Sequence, residues 1–217
     1  SGYVVFGSNG ESVFLNSKEK LKLVSSVKES SAKDKIVIAG TGSESIRETI
    51  SLTNSAADEG ADYALILTPS YYKNSMDHQA LVDYFTEVAD SIKVPLIIYN
   101  VPKFTGINIE PKTVSQLSTH SNIIGLKNSN EDIAHTAETI NNTSDDFVTL
   151  IGTASVLFAG LSLGCKGGIL ALANIAADEC ISIYKNCLDG NYDAAKNTQL
   201  KIMEVNKAVT ARFGVAG

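Results

Sequence analysis

The sequence predicts an α/β chain of the (β/α)8 barrel class, and three observations lead there. Short apolar or β-branched runs alternate with stretches of helical periodicity along all 217 residues. The strand-like runs carry little polar alternation, as expected of parallel strands covered by helices. Polar residues gather where many of these runs end, which is how a barrel builds one site from the C-terminal ends of several strands.

The elements follow in order. Strands are expected at YVVFG (3–7), KIVIAG (35–40), DYALIL (62–67), VPLIIYN (94–100), NIIGLK (122–127), FVTLIG (147–152) and GGILAL (167–172). Asn16 with Glu19 forms a candidate capping box before a helix over 17–30, and Ser45 with Glu48 another before 46–59. Asp77 can open a helix reaching Ser91, and Pro111 suits the first turn of one over 111–119. Further helices are expected over 131–141, 154–163, 174–188 and 191–210. A doubly wound sheet is the competing architecture. However, GSNGES (7–12) lacks the dinucleotide-binding spacing, and GTGSES (40–45) lacks the lysine and spacing of a phosphate loop. Seven runs can be counted, whereas a complete barrel takes about 250 residues. The expectation is therefore one domain over 1–217, a partial (β/α)8 barrel in which the first strand and a C-terminal helical extension are absent.

Composition narrows the function. With 18 basic and 24 acidic side chains the formal net charge is −6, and no basic stripe offers a nucleic-acid or anionic-membrane surface. Three cysteines, Cys165, Cys180 and Cys187, have neither disulfide nor zinc spacing and suit a reducing compartment. No apolar run is long enough to span a membrane, and the first residues do not read as a signal peptide. A protein that is not secreted and acts on a small soluble molecule is the expectation. His78, His120 and His135 lack convergent ligand spacing, so no metal is assigned.

The strand ends deliver Ser8, Asn9 and Glu11; Thr41 and Ser43; Thr68, Ser70, Tyr71 and Tyr72; Tyr99 and Asn100; Lys127, Asn128 and Ser129; and Gly152, Thr153 and Ser155. Lys127 stands out because it directly follows the apolar run Ile123–Leu126. A lysine nucleophile has to be deprotonated, so its pKa must fall from about 10.4 toward neutrality, and desolvation at a strand end supplies such a shift. A nearby tyrosine and hydroxyl can then move protons during carbinolamine formation, dehydration and carbon–carbon cleavage.

These motifs resemble the pyruvate-dependent class I aldolases and lyases that include dihydrodipicolinate synthase, N-acetylneuraminate lyase and 4-hydroxy-2-oxoglutarate aldolase. The resemblance runs through GSNGE, TPSYY, YNVP, GLKNS, GGILALAN and AVTARFG, essentially the whole chain. It implies that Lys127 forms a Schiff base with a 2-oxo acid and that Tyr99, 28 residues earlier, shuttles protons. It implies that Ser8 joins the relay and that Asn9 helps hold the keto-acid carboxylate. Tyr72 would complete the relay from a neighbouring subunit, with Tyr71 the alternative occupant. Gly168 and Ile169 would line the pyruvate end of the pocket, and Ser129 would face the substrate. The covalent Schiff base needs no separate cofactor, and the assembly expected by resemblance is a homotetramer built as a dimer of dimers.

One departure bears on the substrate. Dihydrodipicolinate synthases typically carry an arginine soon after YNVP, but this chain reads YNVPKFTG, with Phe104 in that position. The GSNGE form, the YYK continuation and the RFG segment resemble the eukaryotic 4-hydroxy-2-oxoglutarate aldolase branch. The expected reaction is thus cleavage of a 4-hydroxy-2-oxo acid such as 4-hydroxy-2-oxoglutarate to pyruvate and glyoxylate. The alternatives are 2-keto-3-deoxy-L-galactonate cleavage to pyruvate and L-glyceraldehyde, dihydrodipicolinate synthesis, and a catalytically silent metabolite-binding or structural barrel. Resemblance to the animal aldolase suggests the mitochondrial matrix; the cytoplasm is the other expectation.

Overall fold

The structure is a computed structural model and describes residues 2–216. Strands β1 (Gly2–Val5), β2 (Ile36–Gly40), β3 (Tyr63–Leu67), β4 (Leu96–Asn100), β5 (Ile123–Asn128), β6 (Val148–Ile151) and β7 (Gly167–Gly168) form one sheet in chain order. Every neighbouring pair is parallel. Helices cross between them: α1 (Ser17–Ser30), α2 (Ile46–Asp58), α3 (His78–Ser91), α4 (Pro102–Thr105), α5 (Pro111–Leu117), α6 (Ile133–Asn141) and α7 (Leu157–Ser162). After β7 come α8 (Ala177–Leu188) and α9 (Tyr192–Asn206). The result is a curled, TIM-barrel-like α/β sheet wrapped by helices. Among the described residues no eighth strand joins β7 to β1.

Local chemistry explains the helix starts. At α1 the capping box is complete: Glu19 N–H donates to Asn16 Oδ1 at 3.1 Å, and Asn16 N–H to Glu19 Oε2 at 2.8 Å. At α2 only half of the expected box forms. Glu48 N–H donates to Ser45 Oγ at 3.4 Å, while the Glu48 carboxylate accepts from Ser17 Oγ at 3.3 Å and ties α2 to α1. Asp77 caps α3 through Ala80 N–H, and Pro111 occupies the first turn of α5.

Strand residues alternate between two apolar layers. Ala64, Ile66, Leu96, Ile98, Ile123 and Leu126 face the helices and pack with Leu81, Phe85, Val88, Val114 and Leu117. Leu65, Ile97 and Tyr99 point the other way, into the barrel, with Val101 beside them. Ile123 and Leu126 are three positions apart, so simple alternation would put them on opposite faces. The register between β4 and β5 resolves this. Leu96 faces Ile123 but Ile97 faces Gly125, so Ile124 is skipped as a bulge. That extra residue brings Lys127 level with Tyr99 and turns it inward; without it, Leu126 would face the barrel interior and Lys127 the helices. Gly125 is required here, because a Cβ would lie 2.4 Å from the Val148 carbonyl oxygen.

Several expected boundaries shift. GGILAL supplies only a two-residue strand, with Ile169 N–H reaching Ile151 O at 2.8 Å before the chain turns into a 3-10 segment over Ala171–Asn174. The glycine pair brings no side chain to a strand layer, whereas Leu172 is drawn into a second core with Leu157 and Ile183. The helix expected over 154–163 starts as a 3-10 turn at Ala154–Val156, and the one expected from 174 begins at Ala177. Beyond Asn206 the last helix continues as a π-helical turn over Lys207–Arg212. No helix among the described residues is long and apolar enough to cross a membrane.

Candidate active site

The bulge in β5 puts the Lys127 amine over the Tyr99 ring, 4.0 Å from its centroid. Both side chains are buried, Lys127 to 5 % exposure. No carboxylate pairs with the amine among the described residues. Burial therefore holds the amine below the ordinary lysine range, with the Tyr99 phenol opposing part of the effect. A fraction of neutral amine at moderate pH is what attack on a carbonyl requires.

Ser8 enters from the other side of the mouth, on the short turn Ser8–Gly10 that follows β1. Its Oγ lies 3.4 Å from the Tyr99 hydroxyl, a contact either oxygen can donate. Around this turn the left-handed backbone falls on Phe6 (φ 61°) and Glu11 (φ 52°). Asn9 is exposed, and Ile169 packs against the inner cluster that contains Tyr99. Gly168, beside it, is exposed.

Ser129 lies just past the end of β5, where its N–H donates to Asn100 O at 2.8 Å. Its Oγ is buried with no partner among the described residues, and a Cβ on Gly152 would sit 2.0 Å from it. Gly152→Ala is thus expected to displace the Ser129 side chain and cost about 1–3 kcal/mol, as overpacking does. Thermal melting checks the cost, and an unchanged midpoint would contradict it. Farther out, Thr153 Oγ1 donates to Ser155 Oγ at 3.3 Å, extending a rim of hydroxyl groups.

The two tyrosines after β3 stand apart from this cluster. Tyr71 and Tyr72 are 79 % and 74 % exposed and stack edge to face with centroids 5.0 Å apart. The loop holding them is clamped by the Glu44 carboxylate, which accepts from Ser70 N–H, Ser70 Oγ and Tyr71 N–H at 3.0–3.1 Å. Burial raises the Glu44 carboxyl, but these donors outweigh it and hold the group below its usual range. Within one chain, then, Lys127, Tyr99 and Ser8 come together and Tyr71 and Tyr72 do not. Sequence reading also puts Asn100 and Asn128 at the mouth. The alternation that turns Tyr99 and Lys127 inward turns these two amides toward the helices, where Asn128 Nδ2 donates to Thr136 Oγ1 of α6 at 3.1 Å.

A buried amine beside a phenol at the C-terminal ends of the strands can carry out lysine-dependent chemistry on a carbonyl. Residues 1–216 match the Dihydrodipicolinate synthetase family. The chain belongs to that family. Its members are class I pyruvate-dependent lyases. The 4-hydroxy-tetrahydrodipicolinate synthase of Methanothrix thermoacetophila is 36 % identical over 210 residues, which is 96 % of this chain and 70 % of that protein. The crystal structure of dihydrodipicolinate synthase from Aquifex aeolicus superposes with a TM-score of 0.91 at 29 % identity, covering 96 % of this chain and 71 % of that one. A prophage protein of the same family from E. coli K12, solved in complex with pyruvate, gives a TM-score of 0.90 at 30 % identity over 96 % of this chain and 70 % of that one.

Proposed function

We propose that this family member cleaves a 4-hydroxy-2-oxo acid by Schiff-base catalysis on Lys127, with 4-hydroxy-2-oxoglutarate as the substrate and pyruvate and glyoxylate as products. The observation that carries the reading is a buried amine, without a carboxylate partner among the described residues, lying against Tyr99, whose hydroxyl is within reach of Ser8. The neutral amine adds to the keto carbon, and loss of water from the carbinolamine leaves an iminium. Tyr99 takes the proton of the 4-hydroxyl as the C3–C4 bond breaks. The bonding pair flows into the iminium to give an enamine, and glyoxylate departs. The enamine is then protonated at C3, and hydrolysis returns pyruvate and free Lys127. The iminium is the electron sink, so the chain's own residues suffice for every step. Ser8 relays the proton with Tyr99, Asn9 and the segment at Gly168 and Ile169 hold the pyruvyl end, and Ser129 faces the distal end. Tyr72, or Tyr71 beside it, reaches a second copy of the chain in a homotetramer, which their exposure on the clamped loop supports.

A second substrate is favoured by one specific feature. Thr153 and Ser155 bring hydroxyls to the loop after β6, and the buried Ser129 Oγ has no partner among the described residues, a set that suits the hydroxyl-bearing tail of 2-keto-3-deoxy-L-galactonate. The synthase reaction of the named relatives is less well supported, because Phe104 is half exposed and supplies no donor for a carboxylate. Incubation with pyruvate and borohydride, followed by peptide mass analysis, is expected to yield a stable adduct on Lys127. Pyruvate release from 4-hydroxy-2-oxoglutarate is expected to exceed release from 2-keto-3-deoxy-L-galactonate, with no condensation onto aspartate semialdehyde. Absence of an adduct on any lysine would sink the lysine chemistry, and failure on both hydroxy acids would sink the substrate class.

A further inference from the structure

We infer that His135 is a positioning residue for the Lys127–Tyr99 pair, acting through a closed ring of hydrogen bonds on the helix side of the sheet. The inference rests on the lysine chemistry proposed above and adds a residue that never touches substrate. Four bonds close the ring. Ile109 N–H donates to Asn100 Oδ1 at 3.1 Å, and Asn100 Nδ2 to Asn128 Oδ1 at 3.0 Å. Asn128 Nδ2 donates to His135 Nδ1 at 3.4 Å, and His135 Nε2 to the Ile109 carbonyl at 2.9 Å. All four residues are buried.

The direction of donation is forced. A carbonyl oxygen has no proton, so Nε2 must carry the hydrogen; Nδ1 is then the lone pair that an amide N–H can meet in the neutral ring. The Asn128 amide cannot flip without aiming its oxygen at that lone pair and its NH2 at the Asn130 N–H, which donates to Oδ1 at 3.1 Å. The spare amide hydrogens are also used, on Asn108 Oδ1 at 2.9 Å and Thr136 Oγ1 at 3.1 Å. A buried network satisfied in one arrangement only is rigid.

The ring joins four parts of the chain: the ends of β4 and β5, the loop before α5, and the first turn of α6. Asn100 and Asn128 each follow a residue of the reacting pair, at facing positions of the register. Fixing the two amides on one face of the sheet fixes the phenol and the amine on the other. A displacement of about 1 Å at a reacting group is enough to cost ~10²-fold in rate, so such a brace acts on turnover more than on binding.

Two substitutions cut the ring at different bonds. His135→Asn keeps an acceptor near the Nδ1 position and loses the bond to Ile109, whereas His135→Gln keeps a donor near Nε2 and loses the bond from Asn128. Each is expected to lower kcat about 10-fold or more while KM changes less than about 3-fold. In the substrate-free protein, the pH midpoint for labelling of Lys127 by acetic anhydride, mapped by peptide mass, is expected to move up toward that of ordinary lysines as water reaches the amine. Unchanged kcat and an unchanged labelling midpoint in both variants, even with a lower melting temperature, would reduce the ring to a structural role and overturn the inference. Pyruvate trapping on the unmodified chain separates the two questions. Without an adduct the lysine chemistry fails, and the labelling midpoint, which needs no substrate, still decides whether His135 positions the amine.

Discussion

Lys127→Met is expected to abolish pyruvate release and, at the same time, to stabilise the fold. Methionine has nearly the length and apolar shape of the lysine stem, so it fills the space beside the Tyr99 ring without the amine. Removal of the nucleophile should cost ~10³-fold or more in turnover. The stabilising effect follows from linkage. Burial depresses the pKa of Lys127 in the folded chain, whereas the unfolded chain holds it near the ordinary lysine value of 10.5. Between those two values the unfolded state binds more protons, so the wild-type chain gains stability as pH rises through the window. Below the window the whole penalty of burying the charge is present, and above it the penalty has gone. The variant carries no such penalty. Its advantage should therefore be greatest on the acid side and shrink as pH approaches 10.5. A gain of about 1–2 kcal/mol is the scale expected when a buried ionisable group yields to an apolar one. For a chain of this size that corresponds to roughly 2–4 °C per kcal/mol in melting temperature. Urea titrations of both proteins at a series of pH values measure it, and an advantage that stays constant with pH would contradict the linkage.

The opposite signs for activity and stability reflect how the site is made. A neutral core residue in place of Lys127 would fold better, yet burial is what gives the amine the larger neutral fraction that attack on a carbonyl uses. Part of this is visible in the sequence: a lysine closing the run Ile123–Leu126 is conspicuous, and a tyrosine stands next to the end of another run, 28 residues earlier. What the sequence does not show is that the two share a face. Counting alternately from Ile123, which packs against the helices, would send Leu126 inward and Lys127 toward the helices; only the skipped residue at Ile124 reverses both. The bulge at Ile124 depends on Gly125 fitting beneath the Val148 carbonyl, a contact with a strand more than twenty residues away. Tertiary pairing of that kind leaves no local trace.

Helix starts and strand ends differ in how far along the chain their causes lie. Asn16 with Glu19 is a pattern that acts within four residues, so the box at α1 is legible and complete. Ser45 with Glu48 is the same pattern, but Ser17 captures the carboxylate from α1, which local reading has no means of anticipating. GGILAL has the composition of a strand, and its pairing nevertheless stops after Gly168 because Leu172 has a better partner in the second core. Asn100 and Asn128 are polar residues at strand ends, which is the signal used to find Tyr99 and Lys127. Only their contacts with Ile109, Thr136 and His135 reveal that they face the helices.

Tyr99→Phe is expected to leave the fold intact and lower turnover about 10²-fold or more, the scale of a lost general acid–base group. Phenylalanine keeps the ring that packs with Leu65 and Ile97 and covers the Lys127 amine, so the apolar surroundings of the lysine persist. Only the hydroxyl is removed, and with it the 3.4 Å contact to Ser8. The two chemical stages should then separate. Carbinolamine formation and dehydration still have a desolvated amine, so borohydride should continue to trap pyruvate on Lys127, more slowly but to completion. Cleavage of the C3–C4 bond needs a base at the 4-hydroxyl in the transition state, and that base is gone. Single-turnover measurements with 4-hydroxy-2-oxoglutarate are therefore expected to show adduct accumulating before pyruvate appears, where the wild-type chain shows the two together. Ser8→Ala should slow the same step to a smaller degree, since water can replace a hydroxyl at the half-buried end of the relay more easily than it can reach Tyr99. Equal losses in trapping and cleavage would instead assign Tyr99 to orienting the amine. A fall in melting temperature that tracked the fall in rate would assign it to packing alone.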